Sequence, residues 1–129
     1  MKNLLPLLLL STTVLSTPAF AAPPAVSGAW TISGDVQGYP ISESCTFTQD
    51  TKDKDKIIGT CINDGRTYDT TVAIVDQKVT FVHAGEYQGQ ALVLTYIGTY
   101  SDKGELAGVI SVAPLGYDGT FTAKKAESK

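Results

Sequence analysis

From Gly28 onward this chain is a series of short β-forming segments, and no break between them approaches the dozen or so residues that a parallel crossover needs. Each segment must therefore pair antiparallel with the next, as a meander. The segments are rich in Thr, Val, Ile, Tyr and Phe, alternate with period two, and show no helical period. Eight strands are predicted, over 29–36, 39–49, 56–62, 67–75, 78–83, 88–100, 105–113 and 117–124. Asn63-Asp64-Gly65-Arg66 carries the Asp-Gly centre of a type I′ hairpin, and Asp76-Gln77 makes a second tight turn. Asp102-Lys103-Gly104 fits a short loop with Gly in the left-handed position. Pro114-Leu115-Gly116 breaks a ladder, because Pro has no N–H to donate.

A meander of this kind leaves two long edges unless the sheet closes, and closure removes them. The expected fold class is all-β: an eight-stranded antiparallel up-and-down barrel with one cross-strand disulfide. A flattened sandwich of the same strands is the alternative. Cys45 and Cys61 are the only cysteines. In an oxidising compartment such a pair becomes a disulfide. Opposing them directly sets Phe47 against Gly59, where an aromatic ring fills the missing side chain's place. Cys45-Thr46-Phe47 and Gly59 are echoed by Leu94-Thr95-Tyr96 and Gly108, at one offset of 49 residues. The echo, from duplication or from convergence on one hairpin, predicts that Tyr96 covers Gly108. Parity from the disulfide puts Phe47, Tyr68, Val79, Phe81, Leu94, Tyr96, Ile110 and Phe121 inside. Glu43 also falls inside, opposite Asn63. Thr46, Thr48, Thr60, Asp69, Thr71, Thr80, Thr95 and Thr122 fall outside. Ile58, Ile62, Val93, Ile97 and Val109 break the pattern, and would pack the N-terminal segment, a partner or a second sheet.

Residues 1–21 read as a signal peptide: Lys2, the apolar run Leu4 to Leu10, and the A-x-A site Ala19-Phe20-Ala21. The run is too short to span a bilayer. Residues 22–27 form a Pro-rich extended lead-in, and 28–126 the barrel domain. The product is expected to be exported, to periplasm or extracellular medium, without membrane insertion. Loss of Lys2 leaves nine of the ten basic residues against 13 acidic, a formal charge of −4 with both signs scattered. That excludes tight electrostatic binding to nucleic acid.

Gly28-Ala29-Trp30 opens the first strand. A G-x-W there, ahead of a short meander, resembles the lipocalin and avidin group of exported barrels. The resemblance implies that Trp30 plugs one end, with a basic residue of the last strand, Lys124 or Lys125, packed on the indole. It also implies a general habit of binding small molecules. The several tryptophans of an avidin pocket are missing, because Trp30 is the only Trp.

No nucleophile elbow, zincin helix, P-loop or dinucleotide fingerprint occurs. His83 is the only histidine. It opens an expected loop, 83–89, with Glu86 beside it as a base or ligand at the barrel mouth, or as a plain exposed loop pair. One His does not make a zinc site, so no metal and no cofactor is expected. The alternating Asp50, Lys52, Asp53, Lys54, Asp55, Lys56 segment reads as a solvated hairpin tip. Inward tyrosines offer an apolar ring and a polar tip to a small molecule. The expected ligand-binding residues are Tyr68, Tyr96, Tyr100, Phe81 and His83. The function expected is a non-catalytic barrel holding a small apolar or aromatic ligand. The alternatives are a protein-interaction or enzyme-inhibitor barrel, and an enzyme using His83 with Glu43 or Glu86.

Overall fold

The computed structural model describes residues 26–50, 52–53 and 56–126. The expected signal peptide and most of the lead-in lie outside the described residues. Eight strands, β1 (Gly28–Val36), β2 (Tyr39–Gln49), β3 (Ile57–Asn63), β4 (Arg66–Val75), β5 (Lys78–Tyr87), β6 (Gln90–Tyr100), β7 (Leu106–Ala113) and β8 (Tyr117–Lys125), follow one another around a closed barrel. Every neighbouring pair is antiparallel, and β8 pairs with β1 from Trp30↔Lys125 to Val36↔Gly119. The sandwich alternative is thereby removed. No helix among the described residues is long and apolar enough to cross a membrane.

Period-two alternation decides the two faces. Trp30, Ile32, Phe47, Val79, Phe81, Tyr96, Leu106 and Ile110 are almost fully buried inside. Threonines dominate the outside. Of the outward aliphatics, Ile58, Ile62, Val93 and Val109 are exposed, so no second sheet or N-terminal segment among the described residues covers them. Val26, expected in the mobile lead-in, is instead buried beside Trp30 and belongs to the domain.

Cys45 and Cys61 oppose each other on β2 and β3 and are bonded. Phe47 lies opposite Gly59, where a Cβ would stand 2.6 Å from the ring's Cδ1. The later echo fails. Tyr96 opposes Ile110, and Gly108 opposes Gly98. The cause is loop length. Asp50 and Lys56 close the β2–β3 loop, whereas Ser101 and Glu105 close a β6–β7 loop two residues shorter. The register slips accordingly, and Phe121 takes the space instead: it pairs with both Gly34 and Gly108. A Cβ on Gly98 would meet its Cζ at 2.9 Å.

The two barrel ends differ. At one end Trp30 donates from Nε1 to the carbonyl of Val26 at 2.7 Å. Nζ of Lys125 stands 5.9 Å from the Trp30 ring centroid, within cation–π range. Lys125, not Lys124, faces the indole, because it opposes Trp30 across the β1–β8 seam. At the other end the β1–β2, β3–β4 and β5–β6 hairpins turn on only two residues each, Gln37-Gly38, Asp64-Gly65 and Gln88-Gly89, all at positive φ. Turns that short have no chain to fold over the opening.

Candidate functional site

The expected loop 83–89 is strand up to Tyr87, paired with β6 as far as Tyr87↔Gln90. Gly85 reads as a turn residue in sequence, but it sits in the ladder and makes room for Leu94, whose Cδ1 would stand 2.6 Å from a Cβ there. His83 is therefore neither a loop residue nor exposed. It points inward and is 3% exposed. Glu86 faces away from it and holds Arg66 at 2.7 Å on the rim.

The end opposite Trp30 holds a cleft of about 660 Å³. That volume lies within the range of small-molecule sites, about 300–1,000 Å³. Its walls are unlike. The arc from β6 round to β2 supplies Leu92, Leu94, Val112, Leu115, Val36 and Ile41. The arc β3–β5 supplies Asn63, Arg66, Tyr68 and His83. Tyr39, Tyr87 and Tyr117 stand exposed around the rim, and Tyr39 and Tyr87 meet edge to face at 5.5 Å.

The floor carries a buried polar cluster. Glu43 on β2 reaches across the interior, and its Oε2 lies 2.9 Å from Nε2 of His83, with both side chains almost wholly enclosed. The imidazole N–H lies off the line to the oxygen, so this contact is a close ion pair rather than an aligned hydrogen bond. The hydroxyl of Tyr96 donates a hydrogen bond to Oε1 of Glu43. Nδ2 of Asn63 donates to Oε2 at 3.3 Å. Nδ1 of His83 lies 2.6 Å from the carbonyl of Ala84.

Charge on both partners follows from these contacts. Burial pushes the Glu43 carboxyl up, but His83, Tyr96 and Asn63 together outweigh burial and hold it below the usual carboxylate range. Burial pulls the His83 imidazole down, but Glu43 and the Ala84 carbonyl outweigh that and raise it. Burial and the adjacent carboxylate raise the Tyr96 phenol, which stays protonated. Rings stack around the cation. Tyr68 lies 5.6 Å from His83, His83 lies 5.4 Å from Tyr96, and Tyr96 lies 4.4 Å from Phe81. As an imidazolium His83 carries N–H on both ring nitrogens and keeps no lone pair to act as a base.

Of the residues expected to bind a ligand, Tyr68 and His83 line the cleft. Tyr96 lies one layer lower, beneath His83, and Phe81 is its cross-strand partner in that same layer. Tyr100 belongs to the opposite end, paired with Leu106, and its buried hydroxyl has no hydrogen-bond partner among the described residues. Inward parity marks Glu43 and Asn63, whereas the loop expected over 83–89 takes His83 out of that pattern. Their convergence had no local sign, because Glu43 and His83 stand on strands that are not neighbours. Leu92, Val112 and Leu115 were missed as cleft walls: an inward aliphatic reads as core whether or not anything packs against it. In comparisons with known protein families, characterised proteins and solved structures, the chain shows no significant match.

Proposed function

We propose that the protein is an exported, non-catalytic barrel that binds a small apolar or aromatic ligand in this cleft. The asymmetry of the barrel carries the proposal. One end is sealed by Trp30, Val26 and Lys125. The other keeps about 660 Å³ open between an aliphatic wall and a polar, aromatic one. A barrel with a purely structural role would gain by filling that space, because interiors pack without voids larger than a water molecule. Three further features support the reading. The commitment of His83 to Glu43 and Ala84 favours binding over acid–base turnover. The disulfide is compatible with export. The Thr-rich exterior around an aromatic core is the reverse of a membrane barrel, which turns an apolar band to lipid. The closed eight-strand layout fits a lipocalin- or avidin-like barrel, and membership of that group belongs to the same proposal.

Titration with the neutral dye N-phenyl-1-naphthylamine tests it. We expect saturable, one-site fluorescence enhancement, lost in Leu92→Arg, which puts a charge on the apolar wall while Trp30 emission stays native. Native mass spectrometry of protein from its own host should show a retained small molecule. Absence of both dye binding and a retained molecule overturns the proposal. A second reading, a protein-interaction or enzyme-inhibitor barrel of the cell envelope, draws on the exposed Val93 and Val109 of β6 and β7. It gains if Val93→Lys with Val109→Lys abolishes capture of an envelope protein and leaves dye binding intact.

A further inference from the structure

Resting on the binding function proposed above, we infer that the ligand is a flat, uncharged aromatic molecule with hydroxyl or N–H donors along one edge, a phenol-like compound. Four observations converge on that chemistry. The cleft is two-sided. Below the rim, Leu92, Leu94 and Val112 offer no hydrogen bond, and Asn63 and Tyr68 stand on the opposite arc. A molecule filling such a space must be apolar along one side and polar along the other, or it buries a polar group without a partner.

Asn63 supplies the polar contact. One N–H of its amide is given to Glu43 at 3.3 Å. The carboxamide oxygen, which only accepts, and the second N–H remain. A ligand hydroxyl matches both, since it donates to the oxygen and can accept from the N–H. Tyr68 adds the shape. One face of its ring is stacked on His83 at 5.6 Å and 20°, and His83 continues the stack to Tyr96 and Phe81. A planar ring in the cleft extends this column at its open end, over a tyrosine already backed by a cation.

Charge sets the last condition. Arg66 is the only cation on the rim of the cleft among the described residues, and Glu86 neutralises it at 2.7 Å. No lysine among the described residues lines the cleft. Glu43 under the floor cancels His83. With Asp64 also at the mouth, nothing there favours an anionic ligand.

Calorimetric titration of the disulfide-bonded protein with naphthalene-2,7-diol, naphthalene and 2-naphthoate decides the matter, since ring size is shared. We expect the diol to bind about tenfold tighter than either of the others, the margin of one well-made hydrogen bond. Asn63→Leu should bring the diol to within about twofold of naphthalene, with N-phenyl-1-naphthylamine still bound. If Asn63→Leu does not fold by Trp30 emission, Tyr68→Phe replaces it. That variant keeps the stacking ring, and it should weaken the diol about threefold and leave naphthalene unchanged. Equal binding of the three probes, preference for naphthoate, or variants that leave the diol's advantage intact overturn the inference. If the dye still binds in that case, the cleft remains a binding site for other chemistry. Failure of dye and probes together removes both the inference and the function on which it rests.

Discussion

Glu43→Gln removes one charge from the barrel floor and nearly preserves its shape, so it separates the charge of the cluster from its packing. Nε2 of His83 stands 2.9 Å from the carboxylate. At an effective dielectric of about 20, two unit charges at that distance attract by about 6 kcal/mol. Desolvating two ions costs several kcal/mol each and cancels most of that gain. An imidazolium left alone keeps its own cost and loses the offset. Removing one partner of such a pair costs about 3–5 kcal/mol. That figure applies near about pH 5, where histidine is protonated in the unfolded chain. Near about pH 8 the variant has an escape. A neutral imidazole keeps Nδ1–H on the Ala84 carbonyl, and its Nε2 lone pair accepts from the new amide. The cost then falls to about 1 kcal/mol, that of rearranged hydrogen bonds.

The wild-type dependence has two limbs. His83 is raised, so its stabilisation is complete below the ordinary value of 6.5 and is lost as pH rises through the higher folded value. Glu43 is lowered, so its stabilisation is present above 4.5 and is lost as pH falls through the lower folded value. The native protein is therefore most stable between those two values as far as this pair is concerned. In Glu43→Gln only the Ala84 carbonyl still opposes burial at His83, and stability should rise with pH through about 6.5. Urea denaturation near about pH 5 and about pH 8, followed by emission from Trp30, measures both quantities. Equal losses at the two pH values, or an unchanged pH profile, would refute the charged state of the cluster.

Four other perturbations have defined outcomes. Joint Cys45→Ala and Cys61→Ala, opening a link between residues 16 apart, should lower the unfolding free energy by about 3 kcal/mol in urea melts. Gly108→Ala places a Cβ 1.8 Å from the Ile97 carbonyl oxygen and 2.7 Å from the Gly98 Cα, both backbone, and should cost about 3 kcal/mol or more by the same assay. Gly85→Ala meets only the movable Cδ1 of Leu94 and should cost about 1 kcal/mol. Tyr100→Phe removes a buried hydroxyl that has no partner, so thermal melts should show a gain of about 1 kcal/mol and ligand binding should not change.

Strand number, order and direction were legible because they depend on neighbours. Turn chemistry at Asp64-Gly65 and the alternation around Cys45 and Phe47 act over a few residues, and the structure repeats them. Two of the failures were also local in origin. Gly85 looks like a turn residue when its role is to admit Leu94. The 49-residue echo looks like equal register when one loop is shorter. Glycine in a sequence marks room for something, and it does not say whether that something is a turn or a neighbouring side chain.

The sequence by itself determined that side chains such as Glu43, Asn63 and Tyr96 turn to the same interior. Period-two geometry is a property of each strand alone. Only closure of β8 onto β1 decided that Glu43 on β2 would meet His83 on β5 and Tyr96 on β6, the latter 53 residues away. Closure likewise left one end packed and the other open. Alternation encodes which side of a sheet a residue faces. Height and angle around the barrel, which make a floor, a wall or a plug, exist only once the last strand has bonded to the first.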